Sequence, residues 1–126
     1  MLNISICEDE KIQADELEKM IKEKLNSINI DYSIQKFSSG EELLSDYKDT
    51  DIIFLDIKMS KLSGMDTARK IREIDKNVEI IFTTALQEYV FEAYEVRAFR
   101  YLLKPIDKNL LFNYLELCIN ELNSRN

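Results

Sequence analysis

The chain has 126 residues, 45% of them hydrophobic, which is enough to build one domain around one buried core. Its 24 acidic residues outnumber 17 basic ones, and a net charge of -7 repels a phosphate backbone, so direct nucleic-acid binding by this chain is not expected. There is no histidine, the two cysteines Cys7 and Cys118 lack CxxC spacing, no run approaches the roughly 20 apolar residues of a membrane span, and no signal-peptide pattern opens the chain. Zinc and haem sites and membrane partners are therefore not expected, and a cytoplasmic location is.

A first strand is expected at residues 2–7, followed by a helix at 10–28 that places Leu17, Met20, Ile21, Leu25 and Ile28 on one side. A second strand at 33–37 leads into Ser38-Ser39-Gly40, which supplies turn and N-cap chemistry for a helix at 41–47. Glu41 and Glu42 lie near the positive end of that helix. The third strand is the run Asp51-Ile52-Ile53-Phe54-Leu55-Asp56. Its apolar residues are consecutive rather than alternating, the mark of a parallel strand covered on both faces. A helix at 65–74, a strand at 78–83, a helix at 88–96, a strand at 99–103 and a helix at 107–122 complete the chain. The last helix carries Leu111, Leu115, Cys118 and Leu122 on one face.

Strand and helix thus alternate five times, with only three glycines and prolines and no linker or repeat inside. That order predicts a single α/β domain, a doubly wound parallel sheet with short connections. In such sheets chemistry collects outside the carboxyl ends of the strands. Four features fall there: Glu8-Asp9 after the first strand, Asp56 after the third, Thr84-Ala85 after the fourth and Lys104-Pro105 after the fifth. Taken singly they have plainer readings. Glu8-Asp9-Glu10 suits the acidic first turn of a helix, Tyr101 an ordinary core aromatic, and Lys104-Pro105 a common strand exit.

Together, these residues resemble the receiver domain of two-component response regulators over residues 2–122, and the spacing of Asp56, Met59 and Gly64 is similar to that family's loop. The resemblance implies a flavodoxin-like (βα)5 fold with strand order 2-1-3-4-5, which makes the first and third strands neighbours, their ends roughly 5 Å apart. Glu8, Asp9 and Asp56 would then converge, and a hard divalent cation relieves such repulsion. By the same resemblance, Mg²⁺ is held directly by Asp9 and Asp56, by the backbone carbonyl of Lys58, and by Glu8 through water. Asp56 is the phosphoacceptor, and the donor is a phosphohistidine on a sensor histidine kinase. Lys104 contacts the phosphoryl oxygens, aimed by a cis peptide at Pro105. Thr84 supplies a hydroxyl, Ala85 leaves room for the phosphoryl group, and Tyr101 is the aromatic switch. A homodimer through the fourth helix, fifth strand and fifth helix follows, with Glu92, Glu95 and Arg97 on the presented face.

The stretch Glu88-Tyr89-Val90-Phe91-Glu92-Ala93-Tyr94 through Lys104-Pro105 resembles, more narrowly, receivers attached to LytTR-type DNA-binding domains. On that basis residues 1–122 are the receiver and 123–126 begin a linker to an output domain. One departure stands out. Ser60 replaces the proline common after the loop methionine, and a more mobile loop with unaltered chemistry is expected. A receiver-like module that works without phosphorylation remains an alternative. An aspartate-nucleophile phosphohydrolase is disfavoured because Lys58 stands where a second acid is needed, and a flavin binder because Glu8-Asp9-Glu10 repels a phosphate.

Overall fold

The computed structural model describes residues 1–125 as β1 (Leu2–Cys7), α1 (Lys11–Ser27), β2 (Tyr32–Phe37), α2 (Gly40–Ser45), β3 (Ile52–Leu55), α3 (Gly64–Ile74), β4 (Glu79–Thr84), α4 (Val90–Glu95), β5 (Arg100–Leu103) and α5 (Lys108–Ser124). All neighbouring strands are parallel, in the order β2-β1-β3-β4-β5. The expected α/β class and strand order are both borne out.

The consecutive apolar residues of β3 serve two layers at once. Ile52 and Phe54 join a core with Leu17, Ile21 and Leu25 of α1 and Leu111 and Leu115 of α5. Ile53 and Leu55 join the opposite core with Leu43 of α2 and Ala68 and Ile71 of α3. Successive strand residues point to opposite faces, so a strand in the middle of the sheet must be apolar throughout, and every residue of β3 is fully buried. Burial of each such side chain contributes about 1.5–3 kcal/mol. The edge strand β2 is only half covered and keeps polar residues.

Most element ends shift by one or two residues from the expected ones, and capping explains where the helices stop. The first helix ends at Ser27 because Asn29 turns to φ 55° and the Ile30 N–H closes on the Leu25 carbonyl at 3.1 Å. Ile28 therefore lies past the helix and is exposed. Ser39 caps α2 by accepting from the Glu42 N–H at 3.1 Å. Of the residues expected to begin a linker, Asn123 and Ser124 form the last turn of α5. Arg125 follows as its cap and pairs with Glu79 at 2.6 Å, while Asn126 lies outside the described residues.

The fourth helix is shorter than the sequence suggests, six residues in place of an expected span over 88–96. Its end is built from the backbone: the Ala98 N–H returns to the Ala93 carbonyl at 3.0 Å, with Arg97 at φ 56° where glycine is usual. The buried Arg72 of α3 holds that turn. Its guanidinium donates to the carbonyls of Val96 and Val78 at 2.7 Å each, of Arg97 at 3.1 Å and of Asp75 at 3.3 Å. Five N–H donors in a rigid fork suit this task as no lysine would. Replacing Arg72 by Leu leaves those carbonyls without their charged donor. The expected loss is about 2–4 kcal/mol of folding stability in urea titrations, since single hydrogen bonds to charged groups are worth about 1.5–3 kcal/mol.

Candidate functional site, an acidic pocket at the strand ends

Pairing of β1 with β3 puts Cys7 beside Leu55, and the Asp56 N–H continues the ladder to the Cys7 carbonyl at 3.0 Å. Glu8 and Asp56 therefore leave the sheet side by side. Asp9 joins them, and each of the three carboxylates offers an oxygen within 4.8 Å of the others. Glu8 and Asp56 are buried, at 5% and 6% exposure, and Asp9 is the most open of the three. Burial pushes the carboxyl groups of both Glu8 and Asp56 above the usual range, against the opposing pull of Lys104.

Lys104 reaches into this cluster from the end of β5. Its ammonium lies 2.5 Å from Glu8 Oε1 and 3.4 Å from Asp56 Oδ2, and it also donates to Gln13 Oε1. The Lys104-Pro105 peptide is cis. On the other side the Ser60 N–H donates to Asp9 Oδ2 at 3.1 Å. The sequence reading did not foresee this contact. A proline at that position would have no N–H to offer. The loop that carries Lys58 and Ser60 is closed by the Gly64 N–H donating to the Ile57 carbonyl at 2.7 Å. A Cβ on Gly64 would fall 1.9 Å from the Asp56 carbonyl oxygen, so this glycine is required by close packing against the backbone of Asp56.

The two hydroxyls at the end of β4 go to different faces. Thr83 lines a cleft of about 770 Å³ together with Glu8, Gln13, Ala85 and Lys104. Thr84 is fully buried, and its Oγ1 accepts from the Leu86 N–H at 3.2 Å. The Tyr101 hydroxyl donates to the carbonyl of the same Leu86, and its ring packs 6.1 Å from that of Phe82. Thr84 and Tyr101 thus grip one residue, Leu86, from its two backbone ends. Lys58 is exposed on the loop after β3. Sequence reading missed Gln13, the Ser60 N–H and Thr83. Only Ser60 left a signal, as the residue that departs from proline.

A flavodoxin-like sheet with an anionic pocket beside its switch between β1 and β3 defines the class. Residues 4–116 match the response regulator receiver domain, and the chain belongs to that family. The LytT sensory transduction proteins of Oceanobacillus iheyensis and Bacillus subtilis are 38% and 32% identical to it over 111 and 108 residues. Those matches cover 85% and 86% of this chain but only 44% of each relative, so the chain spans less than half the length of these curated relatives. The narrower likeness to LytTR-type receivers agrees with them. Among solved structures, the response regulatory domain of mrkE from Klebsiella pneumoniae is 29% identical with a TM-score of 0.85, covering 98% of this chain and 99% of that one. The BeF3-activated DrrB receiver domain is 25% identical with a TM-score of 0.79, covering 95% and 98%.

Raised carboxyl groups at Glu8 and Asp56 mean that the folded chain binds protons more readily there than the unfolded chain does. Their ionisation therefore lowers stability as pH rises above the ordinary carboxylate range. Asp56→Asn in chelator is expected to raise the urea midpoint at neutral pH. The gain should shrink as pH falls toward that ordinary range, which parallel titrations of the two proteins would measure.

Proposed function

We propose that this receiver is a Mg²⁺-dependent phosphoacceptor in which Asp56 takes a phosphoryl group from a phosphohistidine of a sensor histidine kinase. The carrying observation is the meeting of the Glu8, Asp9 and Asp56 carboxylates within 4.8 Å at the end of the sheet. The donor set suits a hard cation, because it is all oxygen. The nearby Cys7 thiol is buried with its pKa pushed up to about 12, so it stays protonated and does not compete. In this reading Asp9, Asp56 and the Lys58 carbonyl hold Mg²⁺ directly and Glu8 holds it through water. When bound, the cation neutralises charge between the carboxylate and the incoming phosphoryl oxygens.

An Asp56 carboxylate oxygen forms the new P–O bond while the P–N bond of the phosphohistidine breaks, and the leaving imidazole nitrogen keeps the electron pair. Lys104 then exchanges its present carboxylate partners for a phosphoryl oxygen, and small Ala85 leaves room beside it. The Thr84 hydroxyl already accepts from Leu86, and its own proton is the one it can donate to the phosphoryl group. Drawing Thr84 in moves the Leu86 peptide and withdraws the carbonyl that Tyr101 now uses. Tyr101 turns inward. Burying most of its ring is worth about 1.5–3 kcal/mol, enough to bias a two-state balance about tenfold or more.

The surface that responds is α4, where Glu95 and Arg97 are exposed and an apolar set stands beside them. Phe91 and Tyr94 are 87% and 83% exposed, with Val90 and Leu103 also open, whereas Glu92 is engaged by Arg69 at 2.7 Å. A twofold dimer through α4, β5 and α5 would cover these side chains. Residues beyond 122 lead, in this reading, toward a LytTR-type DNA-binding domain, and the whole protein is a cytoplasmic transcription regulator. No helix among the described residues is long and apolar enough to cross a membrane.

Incubation with a small phosphodonor and Mg²⁺ should add one phosphoryl group by intact mass. No addition should occur in Asp56→Asn or in chelator; labelling that survives in the mutant would sink the assignment, and no labelling of the wild type would favour a phosphorylation-independent module. Sedimentation of the fluoroberyllate-treated chain should show more dimer than the untreated chain at equal concentration. Phe91→Lys should remove that difference.

A further inference from the structure

Lys104 has three N–H donors, and in this structure two of them are committed away from Asp56. One goes to Glu8 at 2.5 Å and one to the side-chain oxygen of Gln13, while the Asp56 oxygen lies farther off at 3.4 Å. Gln13 is on the first turn of α1, half-buried, 91 residues from Lys104 in sequence, and none of the steps above uses it. Its amide is oriented from behind. The nitrogen end donates to Glu10 Oε2, which leaves the oxygen end facing the ammonium, the only orientation in which both contacts are attractive.

We propose that Gln13 is a positioning residue, a latch that holds Lys104 on Glu8 in the resting chain and thereby opposes entry of a cation into the acidic pocket. The inference rests on the cation-dependent reading above. Lys104 pairs with two of the three carboxylates, Glu8 and Asp56, and while its ammonium sits on Glu8 Oε1 that oxygen is withheld from a metal shell. A neutral amide contributes no net charge to the pocket, so its removal changes neither the charge count nor the ligand set. It changes only where Lys104 rests. Gln13 also lines the cleft between α1 and the β5–α5 connection, which makes the latch reachable from outside the pocket.

A buried hydrogen bond to a charged group shifts such a competition by roughly tenfold to a hundredfold, and because Gln13 is partly exposed the expected shift here is roughly threefold to tenfold. Calorimetric Mg²⁺ titration of Gln13→Leu should therefore give a several-fold lower Kd than wild type. In a Lys104→Met background the same substitution should change nothing, because no ammonium remains to be held. Gln13→Asn, one methylene short of Lys104 and still polar, should follow Gln13→Leu and covers the case in which leucine disturbs the helix. A merely structural role would weaken binding, or alter it equally in both backgrounds. A second arm needs no metal: in chelator, the effects of Gln13→Leu and Lys104→Met on the unfolding equilibrium should be non-additive by about threefold or more. Additivity there overturns the latch. A non-additive cycle with unchanged or weaker Mg²⁺ binding in Gln13→Leu overturns its opposition to the cation. Absence of any Mg²⁺ binding in the wild type would overturn the cation-dependent reading and that opposition with it, while the chelator arm still decides whether the latch exists.

Discussion

Three carboxylates held within a few ångströms at the ends of two adjacent parallel strands are the constraint around which the rest of this domain is arranged. Glu8 and Asp56 are buried, so their repulsion is not screened by water, and the charge is answered locally by one lysine. The pairing of β1 with β3 makes the convergence unavoidable, since Asp56 continues the ladder that ends at Cys7. Each neighbouring feature then serves the same cluster. Gly64 lets the loop close over the Asp56 backbone, the Ser60 N–H steadies Asp9, and Glu8 accepts from both Lys104 and the Glu10 N–H.

The sheet that carries this charge is rigid because both of its faces are packed. Two cores divide the alternate residues of β1, β3 and β4, and neither can slip without turning an apolar set toward the other layer. The α4 side is different. That helix has six residues, its exposed face is aromatic, and apart from Ala93 it buries little. It is held at its C-terminal end by Arg72 on backbone carbonyls and along its side by the Arg69–Glu92 pair, which is solvent-exposed and correspondingly weak. Local stability therefore falls from the strands to α4.

The two threonines at the end of β4 show how far a pattern reaches. The sequence places hydroxyls at this strand end. It does not say that Thr83 opens onto the cleft beside Lys104 while Thr84 turns to Leu86 on the other face. Alternation puts adjacent residues on opposite faces, and only the pairing register with β3 and β5 decides which face each takes. The exposed aromatic face of α4 was hidden for a similar reason. Ala93 and the adjoining Val96 turn inward, and only the way α4 sits on the sheet leaves Phe91 and Tyr94 facing out.

What the sequence determined alone was the order of elements, because consecutive apolar runs and amphipathic stretches are local properties set by neighbours along the chain. With the likeness to receivers, it also placed Glu8, Asp9, Asp56 and Lys104 at strand ends. Only the tertiary structure decided which of these groups touch. The Lys104 contact to Gln13 spans 91 residues, that of Ser60 to Asp9 51, and the buried grip of Arg72 on Val96 24. No periodicity records such pairs, since each depends on two elements meeting at a distance and angle that packing of the whole sheet sets.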